Sequence, residues 1–351
     1  MSREGRVTLI RPPPPDPNKA PIESVLEVTE LAVLGPDIYT NTRQPWLPPN
    51  ARGIFGGAVI AQCLAAAFKT VAEGFVAHSC HCYFLLAGSS SIPILFHVER
   101  VREGRSFATR TVQARQKGRC IFTTTISFVR TGSGGFNPVH HAAALPEGVV
   151  PPPEGDWDEE PMANRTSPIQ NMPIEMVRAK DPTARLDERK CRQWSRVRGK
   201  ISEEGGTQAH LNALSYMSDS FFIGTVARIH GLWRFPFRPE EMASLPEKQR
   251  SKVEAILKVE GLEDATVEEL SARPTLGMLV SLDHSIYFHE PLRVRADEWM
   301  FTEMESPWAG DGRGVVTQRI FARDGTLLAT CMQEGVIRLE EPKKEAKEAK
   351  L

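Results

Sequence analysis

The chain has no excess of charge of either sign: 43 Lys and Arg stand against 44 Asp and Glu in 351 residues, a formal net charge of −1. A nucleic-acid binder shows a basic footprint, so that class is excluded. No apolar run approaches the roughly 18 residues that suggest a membrane-spanning helix. The opening stretch MSREGRVTLIRPPPPDPNKAP lacks the apolar centre of a secretory signal. Cysteine is sparse, with six residues scattered along the chain, and without a leader these read as reduced intracellular thiols. Three chemical signatures are missing as well. There is no G-x-S-x-G elbow for a Ser-His hydrolase and no G-x-x-x-x-G-K-[ST] phosphate loop. Gly53, Gly56 and Gly57 do not form G-x-G-x-x-G. They read instead as close packing at a helix start, or as a helix N-terminus whose free N–H groups meet a carbonyl or phosphate.

What the chain does contain is a repeat. GRSFATRTVQARQKGRCIFTT, from Gly104, matches GRGVVTQRIFARDGTLLAT, from Gly312, at the Gly-Arg pair, at Thr109 and Thr317, and at Ala114-Arg115 and Ala322-Arg323. A match of such long period points to a duplicated supersecondary unit, with function where the copies differ or at their seam. In the first copy, Ile60, Leu64, Ala67 and Val71 recur at helical spacing, so residues 57–71 are expected to form a buried helix. Its many alanines suit it to lie on something broad and flat. Strand-like segments follow at 77–86, 93–102, 105–116 and 120–130, with Lys117-Gly118 as the hairpin turn.

The second copy runs from a strand-like RQWSRVRGKI through a helix-like TQAHLNALSYMSD to strands at 278–289, 298–306, 313–323 and 326–338, turning at Asp324-Gly325. The expected organisation is therefore a Pro-rich, disordered segment 1–20, a first unit 21–131, a connector 132–184 too rich in Pro and Gly for regular elements, a second unit 185–339 and a charged tail 340–351. A charged helical insertion, 234–274, interrupts the second unit. Two helices, each wrapped by an antiparallel sheet, make an α+β double hotdog. Continuing one sheet into the next removes two exposed edges.

Candidate chemistry is concentrated in the second copy. His78, Cys80, His81 and Cys82 invite a metal reading, but strand alternation puts the first, second and fourth on one face and His81 on the other, so no metal is expected. Asp219 ends the helix-like segment, where a carboxylate meets the negative end of the helix dipole, against stability. Gln333 shares a strand face with Leu327, Ala329, Cys331, Gly335 and Ile337. A buried amide there needs hydrogen bonds, and the first copy has no counterpart in FTTTISFVR. Ser281 and Asp283 alternate onto the face opposite Val280, Leu282, Ile286 and Phe288, so Ser281 reaches the Gln333 side only through a bulge or sheet edge.

Six segments, FGGAVIAQCLAAAFKTV, HSCHCYFLLAG, REGRSFATRTVQARQKG, YMSDSFF, SLDHSIYFHEPL and CMQEGVIRL, together resemble the acyl-CoA thioesterase II family, in the family's order and over about residues 25–340. The resemblance implies a double hotdog, hydrolysis of acyl-CoA to fatty acid and CoA without a cofactor, and assembly as a homo-oligomer. The family's Asp, Ser/Thr and Gln trio carries over to Asp219 in YMSD, Ser281 in SLDHS and Gln333 in MQEG. On this reading Asp219 activates a water that Ser281 and Gln333 hold in line; attack by Asp219 itself is the weaker alternative. The chain departs from the family at Ala58, where FGGQ is common, and in its insertion and connector, which exceed those of shorter bacterial members. The ending Ala349-Lys350-Leu351 is similar to the S-K-L signal, implying a peroxisomal import receptor as partner and the peroxisomal matrix as location. Two rivals fit the same fold: a hydratase or dehydratase, which would need a His beside the carboxylate (His284 is the candidate), and a non-catalytic acyl-CoA sensor.

Overall fold

The structure, a computed structural model, describes residues 8–47, 53–136, 139–153, 155 and 166–340. Two helices of equal length lie at its centre, α2 (Gly56–Phe68) and α3 (Gly206–Ser218), packed against each other. Every residue of α2 from Gly57 to Ala67 is buried. Its alanines and glycines remove the bulk that would hold the helices apart. A Cβ on Gly57 would lie 2.3 Å from the Tyr216 carbonyl oxygen of α3.

Among the described residues a single sheet of fourteen strands wraps this pair. The first copy supplies β3 (Phe75–Phe84), β4 (Leu95–Glu103), β5 (Phe107–Gln116) and β6 (Arg119–Arg130), in the order β4-β5-β6-β3. The second supplies β9 (Lys190–Val197), β10 (Leu276–Ser281), β11 (Asp283–Phe288), β12 (Met300–Gly310), β13 (Arg313–Phe321) and β14 (Leu327–Leu339), in the order β11-β14-β13-β12-β9, with β10 also on β14. The copies join where β3 pairs antiparallel with β11, His81 opposite Ser285. Alternation decides the inner face: in β5, Ala108, Arg110, Val112 and Ala114 are buried while their neighbours are partly exposed. Lys117 and Gly118 both take positive φ, as the tight β5–β6 hairpin requires. The fold is the expected α+β double hotdog.

Several local expectations change. Residues 8–20 were expected to be disordered, yet they pack: Arg43 donates to the Pro13 and Pro14 carbonyls, and Lys19 pairs with Glu204. A Pro-rich segment is already stiff and its carbonyls are free to accept, so little entropy opposes docking. This segment leads into α1 (Pro21–Leu26) and then β1 (Val28–Glu30) and β2 (Ile38–Asn41), which extend the sheet beyond β4. The connector holds two regular pieces, β7 (Ile169–Asn171) and β8 (Glu175–Val177), both paired to β9. Pro173 separates them, and Pro is tolerated at the sheet edge they form. The α2 helix ends at Phe68, short of Val71. After α4 (Gly224–Ile229), the insertion carries α5 (Glu247–Val259) and α6 (Val267–Ser271) around its own core of Trp233, Val253, Leu257 and Leu270. No helix among the described residues is long and apolar enough to cross a membrane.

Candidate active site at the seam of the two copies

Asp219 follows the last residue of α3, and its backbone still has helical dihedrals. Because α2 and α3 run side by side in opposite senses, the C-terminus of α3 meets the N-terminus of α2. The Gly57 N–H donates to Asp219 Oδ2 at 2.9 Å. The carboxylate therefore stands between the negative end of one helix and the positive end of the other, and the second offsets part of the cost of the first. The close-packing reading of the glycines holds, since a Cβ on Gly56 would sit 2.7 Å from Asp219 Oδ2, whereas the Gly57 N–H is not free for a substrate carbonyl or phosphate but is taken by Asp219.

Gln333 is fully buried on the inner face of β14, as alternation predicts. Its Nε2 donates to Asp219 Oδ1 at 2.7 Å. The Asp219 side chain is only 8% exposed. Burial pushes its pKa up to about 6, against smaller downward pulls from the Gln333 and Gly57 hydrogen bonds. Apolar walls maintain that burial. Phe84 lies against Gly56, and Phe55 packs edge-on to Tyr216 with ring centroids 4.8 Å apart. The Tyr216 hydroxyl and Gln333 Oε1 are both buried without a partner among the described residues.

The expected strand at 278–289 is broken. Ser281 lies opposite Gly335 of β14, but Ser285 lies opposite Met332, so four steps on one side match three on the other. The extra residue is absorbed at Leu282 and Asp283. Leu282 N–H donates to the Glu334 carbonyl, and Asp283 Oδ1 accepts from Glu334 N–H. This bulge reverses the alternation, so Ser281, half-buried, stands on the Gln333 side of the sheet after all. Among the described residues no hydrogen bond links Ser281 to Asp219 or Gln333.

Past the bulge His284 points inward, fully buried. Its Nδ1 is 3.1 Å from Gln333 Nε2 and its Nε2 is 3.0 Å from Ser218 Oγ. Burial lowers its pKa to about 3, so the ring is neutral. Sequence reasoning missed this link to Gln333. The available signal was a histidine in step with Ile286 and Phe288 on an apolar face.

The HSCHC segment is distributed over both faces of β3. The expected shared face fails for His78, because the β3–β6 register shifts between Ala77 and Ser79 and turns it outward, 2.8 Å from Ser127 Oγ. Cys80 and Cys82 stay inside against Thr124, and His81 contacts Ser285 on the outer face. Among the described residues no group of three or more His, Cys, Asp or Glu could hold a metal ion.

Comparison with known proteins adds a family to this geometry. Residues 42–129 match the model of the acyl-CoA thioesterase N-terminal domain, and residues 146–337 that of the acyl-CoA thioesterase C-terminal domain. The chain belongs to the acyl-CoA thioesterase II family. Among its relatives, acyl-coenzyme A thioesterase 8 of Mus musculus is 36% identical over 92% of this chain and 91% of its own. The peroxisomal acyl-coenzyme A thioester hydrolase 1 of Saccharomyces cerevisiae is 23% identical, over 91% of this chain and 96% of its own. Among solved structures, the acyl-CoA thioesterase II TesB2 of Mycobacterium marinum superposes with a TM-score of 0.61 at 28% identity, covering 92% of this chain and 99% of that one. In this thioesterase Asp219, Ser281 and Gln333 all fall in the matched C-terminal domain, while Gly57 reaches the same carboxylate from the N-terminal domain.

Proposed function

We propose that the chain hydrolyses fatty acyl-CoA to free fatty acid and CoA by direct attack of water, with Asp219 as general base and Gln333 and Ser281 holding the water. The carrying observation is the Asp219–Gln333 pair: a buried carboxylate with a pKa of about 6, beside an amide whose Oε1 has no partner among the described residues. Together they offer two acceptors to one water. One proton goes to Asp219 and the other rests on Gln333 Oε1, which leaves a lone pair aimed at the thioester carbon. Attack forms the C–O bond and a tetrahedral oxyanion facing the positive end of α2. Collapse breaks the C–S bond, and Asp219 returns its proton to the thiolate of CoA. A general base is most effective with a pKa near the working pH.

The hydratase alternative needs His284 as a free acid or base. The fold does bring it within 3.9 Å of Asp219, but both ring nitrogens are engaged, by Gln333 and Ser218, and the ring is neutral. We further propose peroxisomal import through Ala349, Lys350 and Leu351, which lie outside the described residues; the S-K-L-like ending and the peroxisomal yeast relative support this. A tagged chain lacking Leu351 that still reached peroxisomes would refute it. The activity is tested by thiol release from a panel of short to very long acyl-CoAs. Cleavage by the wild-type chain supports the reading; binding without thiol release would return the sensor to the front.

A further inference from the structure

We propose that His284, hydrogen-bonded between Ser218 and Gln333, is a positioning residue that sets which way round the Gln333 amide points. Ser218 Oγ lies 2.9 Å from the Ser215 carbonyl, to which a hydroxyl must donate. Having spent its only proton there, it can only accept from His284 Nε2, 3.0 Å away. The ring proton is thus on Nε2, and Nδ1 presents a lone pair. That lone pair accepts from Gln333 Nε2 at 3.1 Å, while the second proton of the same amide goes to Asp219 at 2.7 Å. A flipped amide would press Oε1 against a carboxylate oxygen and an imidazole lone pair at once. The chain of bonds is anchored at a helix carbonyl and ends by aiming Oε1 at the water.

Asp219 alone holds the amide only while it is ionised. When it carries the proton taken from water, its hold on the Gln333 N–H weakens, and His284 keeps the amide in place through that interval. The groups around His284 support this. Asp219 is 3.9 Å away, and the Phe222 ring packs edge-on with centroids 5.5 Å apart. On the neighbouring strands the inward titratable groups are Cys80 and Cys82 of β3 and Cys331 of β14; burial raises Cys82 and Cys331, while the hydrogen bond to Cys82 lowers Cys80.

The inference rests on the proposed roles of Asp219 and Gln333, so Asp219→Asn is the control for that reading. The test is a double-mutant cycle in steady-state acyl-CoA hydrolysis with His284→Leu, Gln333→Ala and the pair. His284→Leu is expected to lower kcat by about 30-fold with KM little changed, and to cost less than about twofold when Gln333 is already Ala, within the usual range of coupling between contacting residues. His284→Asn, whose Oδ1 can accept in place of Nδ1, is expected to restore most of kcat. The acid limb of kcat/KM should move to higher pH in His284→Leu, because Gln333 no longer donates steadily to Asp219. A folded His284→Leu with full kcat overturns the inference, as does an equal penalty in the Gln333→Ala background. If His284→Leu does not fold, the cycle is run with His284→Phe, a ring without the acceptor, and a loss undiminished by Gln333→Ala has the same meaning. Activity surviving Asp219→Asn would instead sink the reading of the site itself.

Discussion

The two ends of the α2–α3 pair are built on opposite electrostatic plans. At one end the C-terminus of α3 carries a carboxylate, Asp219, buried and raised in pKa. At the other the C-terminus of α2 is capped by a cation. Arg110 of β5 is fully buried, and its guanidinium donates to Thr70 Oγ1 at 2.7 Å and to the Thr70 carbonyl at 2.8 Å. Its remaining N–H groups reach the Arg102 and Thr109 carbonyls and the Glu103 carboxylate, so all five donors are used. The N-terminus of α3 is covered too: Glu23 of α1 accepts from Ser202 N–H and Oγ, and a Cβ on Gly205 would lie 2.5 Å from Glu23 Oε1. A cation at a helix C-terminus stabilises; a carboxylate there does not. The duplicated unit places a stabilising cation at one helix C-terminus and a buried carboxylate, the proposed base, at the other.

The comparison can be broken at each end in turn. Asp219→Asn removes the proposed base and is expected to lower kcat by about 10²–10⁴-fold, read by thiol release, with the fold intact. Arg110→Met leaves Thr70 and two strand carbonyls without their buried donor and is expected to cost on the order of 3 kcal/mol in chemical denaturation. Activity per folded molecule should stay within about twofold, because that end makes no contact with the site. Gly57→Ala tests the seam. Its Cβ meets the Tyr216 carbonyl, so α2 must shift, costing about 1–3 kcal/mol and also lowering kcat, since the same residue donates to Asp219. The smallest effect is expected for Glu23→Gln, a loss of about 1 kcal/mol of capping with no change in activity.

The residues on this map differ in how visible they were in the chain. Asp219 at a helix end and Gln333 in step with Ala329 and Cys331 follow from helical and strand periods, and both were legible. The hairpin at Lys117-Gly118 was also legible, because turn chemistry is local. What was not legible depends on pairing. The bulge at Leu282 and Asp283 exists only relative to β14, and it alone returns Ser281 to the inner side; the same is true of the shift at His78 against β6. The contact of Gly57 with Asp219 joins residues far apart in sequence through helix packing, which no local pattern encodes. Arg110 reads as one polar residue in a strand until the end of α2 is placed beside it.

If Asp219 is held in place at the expense of stability, the unfolding free energies of the wild-type chain and Asp219→Asn between pH 4 and 8 reveal the cost. A pKa raised from 3.8 to about 6 means the folded state holds more protons than the unfolded state between those values, so stability contributed by this group is lost as pH rises through that window. Asp219→Asn lacks the term, and other groups cancel in the difference. The variant is expected to gain on the wild type by on the order of 2–3 kcal/mol as pH rises from 4 to 7, while wild-type hydrolysis rises over the same range. A difference that stays flat with pH, or one in which the wild type gains, would contradict the account.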